Sequence, residues 1–152
     1  MSFRQAAATA LLVLLAASPA ATALVIILAG STAAAGINGV WLAQARSAHI
    51  QIFQCGAAVC GRMISATRPK TNPELLDIHN EDPALRRRSM VGAVLIQGFK
   101  GGPTTWKGGR VYNPGDGKSY KGALTLVDRD HLKLEGCALA IFCKSQILKR
   151  VG

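Results

Sequence analysis

Trp106-Lys107-Gly108-Gly109-Arg110-Val111-Tyr112-Asn113-Pro114-Gly115-Asp116-Gly117-Lys118-Ser119-Tyr120 decides the fold. A Gly-Gly break, an Asn-Pro turn and an Asp-Gly turn lie between two strand-like runs. Turn chemistry this dense predicts a β-hairpin whose register is set by its loop. The expected arms are residues 104–112 and 119–127, the second showing Leu124 and Leu126 in alternation with Ala123 and Thr125.

The same period of two extends outward in both directions. Downstream, Asp128-Arg129-Asp130 turns the chain into 131–139, where Leu132 and Leu134 alternate with Lys133 and Glu135, and 142–151 supplies a last strand. Upstream, 91–100 is apolar on both faces (Val91, Val94, Leu95, Ile96, Phe99) and predicts a central strand. Residues 48–54 set Ile50 and Ile52 against His49, Gln51 and Phe53, and 59–66 returns the chain after a Cys55-Gly56-Ala57-Ala58 turn. Gly39-Val40-Trp41-Leu42 opens a first strand. About eight short strands, mostly hairpin-linked, predict an all-β fold: a small closed antiparallel up-and-down barrel. Closure removes exposed sheet edges. A barrel of this size holds side chains or one small ligand. The expected lining is Ile50, Ile52, Val94, Ile96, Leu124, Leu126, Leu132 and Leu134.

Residues 67–90 break the pattern. Thr67-Arg68-Pro69-Lys70-Thr71-Asn72-Pro73 is polar and Pro-interrupted, 75–82 is acidic, and Pro83 with Asp82 as cap predicts one helical turn. An irregular stretch this long in a small domain is a candidate lid.

The N-terminus is of another kind. Arg4 is the single charge before Arg46, and apolar runs at 6–17 and 24–29 end in the small residues Gly30-Ser31-Thr32-Ala33-Ala34-Ala35. This predicts an apolar signal helix over 1–35, with cleavage after Ala23 or Ala35, ahead of a barrel domain over 36–152. A retained inner-membrane anchor is the alternative, since the stretch suffices to cross ~30 Å of hydrocarbon. Either way the domain is expected in the periplasm or outside the cell. All four cysteines (Cys55, Cys60, Cys137, Cys143) fall within the domain, and an even count in an exported chain predicts disulfides. Three connectivities are possible; local pairing, Cys55–Cys60 and Cys137–Cys143, is preferred because each pair flanks a short turn-like loop. Each bridge should then stabilise by less than the ~3 kcal/mol of a 15-residue loop. Four and five intervening residues are too many for the C-x-x-C spacing that structural zinc prefers.

The chain carries a net charge of +10, and the domain +9 once Arg4 is set aside. An anionic membrane surface or envelope polymer is therefore a candidate partner. Few aromatics and no recognisable module argue against nucleic acid.

A family resemblance enters on an ordered set of motifs. Gly39-Val40-Trp41 is followed by Cys55-Gly56-Ala57-Ala58-Val59-Cys60-Gly61-Arg62, then Asn80-Glu81-Asp82-Pro83-Ala84-Leu85-Arg86-Arg87-Arg88 and Gly92. Next come Gly108-Gly109-Arg110-Val111-Tyr112-Asn113-Pro114, Asp116-Gly117-Lys118 and Tyr120, and last Gly136-Cys137 with Phe142-Cys143-Lys144-Ser145-Gln146 and Arg150. Over 39–150 the chain resembles the bacterial exported family called domain of unknown function 2147. The resemblance implies a lipocalin- or calycin-like barrel that binds a small hydrophobic or amphipathic ligand, with Trp41 packed across its closed end. Ser89 stands where that family usually has Pro, and Ile147 where it usually has Trp.

The ligand-binding candidates are Trp41, Arg62, Trp106, Tyr112, Asn113, Asp116, Lys118 and Tyr120. The last five either hold the hairpin turns or offer hydroxyl, amide and charge to a ligand head group at a cavity mouth. Arg62 either points inward to take a carboxylate or lies on the wet face. Arg86 and Arg88 either clamp an anion or pair with Glu81 and Asp82. Asp77-Ile78-His79-Asn80-Glu81-Asp82 lacks the glycine and terminal glutamate of a calcium loop. No nucleophile is evidently paired with a base. No catalytic residue, metal or cofactor is expected, and oligomeric state is left open. Three functions compete: a ligand-binding barrel, a basic envelope-binding module without a cavity, and an enzyme. The second would act through Arg86-Arg87-Arg88, Lys100, Lys107, Arg110, Lys118 and Lys121. The third would need a pocket that holds His79 beside an acid and an Arg or Tyr.

Overall fold

The Asn113–Lys118 turn closes the expected hairpin, and every other strand of the domain pairs with its sequence neighbour in the same way. The computed structural model describes residues 36–139 and 141–152. The expected leader or anchor over 1–35 lies outside the described residues. Strands β1 (Gly39–Ala43), β2 (Ala48–Cys55), β3 (Ala58–Ser65), β4 (Val94–Gly101), β5 (Thr105–Asn113), β6 (Lys118–Leu126), β7 (His131–Ala138) and β8 (Phe142–Arg150) follow in order. Each pairs antiparallel with the next, and β1 pairs with β8 through Trp41 and Arg150, Leu42 and Lys149, and Ala43 and Leu148. The sheet is a closed eight-stranded barrel.

Alternation chooses the inner face. Ile50, Ile52, Ile96, Leu124, Leu132, Leu134 and Leu148 point inward with Trp41, Phe99 and Trp106, and all are buried. Fully burying each aliphatic side chain contributes about 1.5–3 kcal/mol. Gly109 belongs to this packing, because a side chain there would run into the ring of Phe99.

Strand β4 corrects the expected lining. Gly61 pairs with Ile96, but Arg62 pairs with Val94, so Leu95 is an extra residue on β4. Such a β-bulge shifts the alternation by one. Leu95 and Ile96 are therefore both buried, while Val94 faces solvent at 44% exposure. Residues 91–93 also leave the expected strand: Gly92 takes φ +88 in a turn, and Val91 is exposed. Leu126 is half-buried and packs against the core.

An up-and-down barrel has two distinct ends. At one lie Gly36, Gly152 and the β2–β3, β4–β5 and β6–β7 turns. Here the Trp41 indole N–H donates to Ile37 O at 2.9 Å. The Arg150 guanidinium lies 4.1 Å from the Trp41 ring centroid and donates to the carbonyls of Gly36, Asn38 and Arg129. Trp41 and Ile37 are fully buried, so this end is shut.

The disulfides pair locally, Cys55 with Cys60 and Cys137 with Cys143. The first sits at the shut end and the second at the other. Two disulfides suit an oxidising extracellular or periplasmic environment. Among the described residues no helix is long and apolar enough to cross a membrane.

Candidate functional site: the open end of the barrel

At the other end, the β1–β2, β3–β4 and β5–β6 connections and strands β7 and β8 surround a cavity of 560 Å³. Its apolar walls include Ile50, Met63, Leu75, Met90, Ile96 and Leu134, and polar groups come from Arg46, Asn72, His79, Asn113 and Gln146. A second cavity of 450 Å³ adjoins it, sharing Val111, Asn113, Leu134 and Gln146, and is bounded by Asp116, Tyr120, Phe142 and Lys144. Sites for small apolar molecules commonly hold 300–1,000 Å³ with a few placed polar groups.

The long β3–β4 connection forms one side of this mouth, and a buried carboxylate holds it there. Asp77 is 1% exposed. One of its oxygens accepts from the Tyr112 hydroxyl on β5. The other accepts from Asn80 Nδ2 at 2.7 Å and Arg88 Nε at 2.9 Å, with Arg88 Nη2 at 2.8 Å completing an ion pair. Arg88 also lies over the Tyr112 ring, 5.5 Å from its centroid. An isolated bridge between Leu76 and Ser89 draws the two halves of the connection together. Burial, and then the Asp77 carboxylate that accepts its proton, push the Tyr112 phenol from 10.0 up to about 12. The one-turn helix is Pro83–Leu85, with the Asp82 side chain accepting from Ala84 N–H. The expected pairing of Arg86 and Arg88 with Glu81 and Asp82 is corrected: Arg88 pairs with Asp77, and Arg86 donates to the Asn80 carbonyl. The metal-like Asp77–Asp82 run is thus a hydrogen-bonded latch.

The β5–β6 turn is locked from within and against the latch. Asn113 Oδ1 accepts from Gly115 N–H, Asp116 Oδ1 from Lys118 N–H, and Asp116 Oδ2 from the Tyr120 hydroxyl at 2.7 Å. Partial desolvation opposes ionisation of Asp116. Its hydrogen bonds from Tyr120 and Lys118 together outweigh that and hold its carboxyl below the usual range. The same bond raises the Tyr120 phenol. Gly117 takes φ +72, and a β-carbon there would collide with the His79 carbonyl. Only glycine fits at this point.

The structure divides the expected site residues. Tyr112 and Asn113 line the first cavity, and Asn113, Asp116 and Tyr120 the second. Lys118 is exposed beside them. Trp41 and Trp106 are packed in the core, and Arg62 lies on the outer surface, where it donates to Gln51 and covers Phe53 at 5.4 Å. None of these four lines either cavity. Ile147 is 48% exposed on the outer wall and lines neither cavity. Arg46 and Gln146 were not among the expected site residues, and His79 entered only through the enzyme reading, because only folding brings two connections and strand β8 to one rim. Asp77 carried a faint signal: an acid beside Leu75, Leu76 and Ile78. The one grouping with metal-ligand spacing among the described residues is Glu135 with Cys137 and Cys143, whose sulfurs are joined to each other and are not thiolates.

Comparison with known proteins agrees with this geometry. The family model described as "Uncharacterized protein conserved in bacteria (DUF2147)" matches residues 39–150. The chain belongs to the DUF2147 family. Among solved structures, it is similar to Helicobacter pylori protein HP1028, described as belonging to the lipocalin family. The TM-score is 0.63 at 23% identity, covering 76% of this chain and 82% of that one. The DUF2147 domain thus has a lipocalin-like barrel. Among curated proteins, none matches.

Proposed function

We propose that this DUF2147 protein binds a small hydrophobic or amphipathic molecule in the open end of its barrel. The observation that carries the reading is the 560 Å³ cavity, with its aliphatic and methionine walls and polar rim. Apolar chain is drawn into such a space at about 0.8 kcal/mol per methylene buried. Arg46 and His79 on the lining favour an anionic or polar head group at the entrance. The apolar residues 1–35 act as a secretory leader or anchor, delivering the domain to the compartment where its disulfides form.

A binding role is favoured over a chemical one. His79, Tyr112 and Arg46 share the first cavity, but no carboxylate lines it among the described residues. Tyr112 holds its proton up to about 12, out of range for acid–base work near neutrality.

Titration with the fluorescent fatty acid cis-parinaric acid tests the reading. Saturable binding is expected, and Val111→Trp, at the junction of the two cavities, should weaken it at least about tenfold. Absence of saturable binding, or equal binding by a folded Val111→Trp protein, would refute it.

A further inference from the structure

We propose that the β7–β8 hairpin tip is a membrane-insertion element that docks the open end of the barrel on an anionic lipid surface. The tip reads Leu139-Ala140-Ile141-Phe142. Leu139 is 85%, Ile141 76% and Phe142 67% exposed, more than any other large apolar side chain described. Isolated exposed hydrophobics are ordinary, but three within four residues of sequence are not.

The backbone holds them there. Cys137 and Cys143 face each other across the hairpin and are bonded, and Ala138 pairs with Phe142. The bond keeps the two arms of the hairpin paired up to the tip. Leu139 takes φ +54, a conformation leucine seldom adopts, and no burial of its side chain compensates.

Charge selects the occupant. On β8 the charge nearest the tip is Lys144, two residues beyond Phe142. Lys121 lies on β6 opposite Cys137. Lys121 and Lys144 are both exposed, and neither forms an ion pair among the described residues. An aliphatic and aromatic tip flanked by lysines matches the boundary between acyl chains and anionic head groups. The tip also borders the mouth, since Ala138, Phe142 and Lys144 line the second cavity. Docking would set that mouth against the lipid. It does not require the cavity to be filled.

Phe142→Trp provides the readout, because Trp41 and Trp106 are buried in the barrel. The full chain carrying this substitution is mixed with phosphatidylglycerol–phosphatidylcholine vesicles at low salt. A blue shift of the introduced indole and its quenching by brominated acyl chains are expected, with a smaller shift on phosphatidylcholine alone. Adding Leu139→Asp and Ile141→Asp should weaken partitioning at least about tenfold, and the same two aspartates in the chain that keeps Phe142 should leave cis-parinaric acid uptake in lipid-free solution unchanged. Ile147→Asp, on the barrel wall, should leave the shift intact. No shift on anionic vesicles, or a shift indifferent to the two aspartates, overturns the proposal. So does a shift that grows with protein concentration without vesicles, which would make the occupant a second copy. Loss of fatty-acid uptake with the vesicle signal retained would remove the ligand-binding reading and leave membrane docking standing.

Discussion

The two ends of the barrel are built from different forces. The shut end relies on burial: Trp41 and Ile37 are removed from water, and a single arginine, Arg150, stacks on the indole while satisfying the carbonyls of Gly36, Asn38 and Arg129. The open end keeps its centre unfilled and relies on polar contacts around the rim, chiefly Asp77 with Tyr112, Asn80 and Arg88. Burial is non-directional and indifferent to pH. A carboxylate that accepts from a phenol, an amide and a guanidinium is directional and depends on protonation. A barrel with a cavity needs both kinds of end, one to hold the cylinder together and one to leave room.

The largest expected effect lies at the shut end. Trp41→Ala should cost about 4 kcal/mol, by lost transfer energy and by the cavity left under Arg150. Urea denaturation checks this; a loss below about 1 kcal/mol would mean that the two ends do not differ in the way described. Gly117→Val comes next, at about 3 kcal/mol. It combines a β-branched residue at φ +72 with a collision at the His79 carbonyl. Unchanged thermal melting would contradict the packing of the hairpin turn on the latch. The mildest is Tyr112→Phe, at about 1 kcal/mol near neutral pH, since one hydrogen bond to Asp77 is lost. Its sharper signature is alkaline. The folded phenol titrates at about 12 against 10.0 for the free side chain, so the native state holds its proton more tightly than the unfolded chain. That contribution is complete below about pH 10 and fades as pH rises to about 12. The Phe variant should lack this decline in a pH series of denaturation curves, while Trp41→Ala keeps it.

Most of the fold was legible because a strand's side-chain period is two. Ile50, Ile52, Leu124, Leu132 and Leu134 announce the inner face by alternation alone, and Asn113-Pro114 and Asp116-Gly117 fix the hairpin that registers β5 against β6. The local disulfides follow from chain proximity. Val94 was misread because a β-bulge at Leu95 leaves no mark on an unbroken apolar run. The site was less legible than the walls. Tyr112 and Asn113 could be guessed from their place beside a turn, whereas Arg46, His79 and Gln146 come from two connections and strand β8, separated by 33 and 67 residues.

Sequence alone determined the class of structure, most turn positions and the basic charge, since each depends on composition or on residues near one another in the chain; it favoured local cysteine pairing, which the structure then fixed. Tertiary structure decided which end is shut, that Trp106 and Arg62 lie away from the cavity, and that Asp77 is a buried anchor. Those outcomes depend on which side chains meet across the closed cylinder. Closure couples β1 to β8 and the 67–90 connection to β5, over separations that no local pattern encodes.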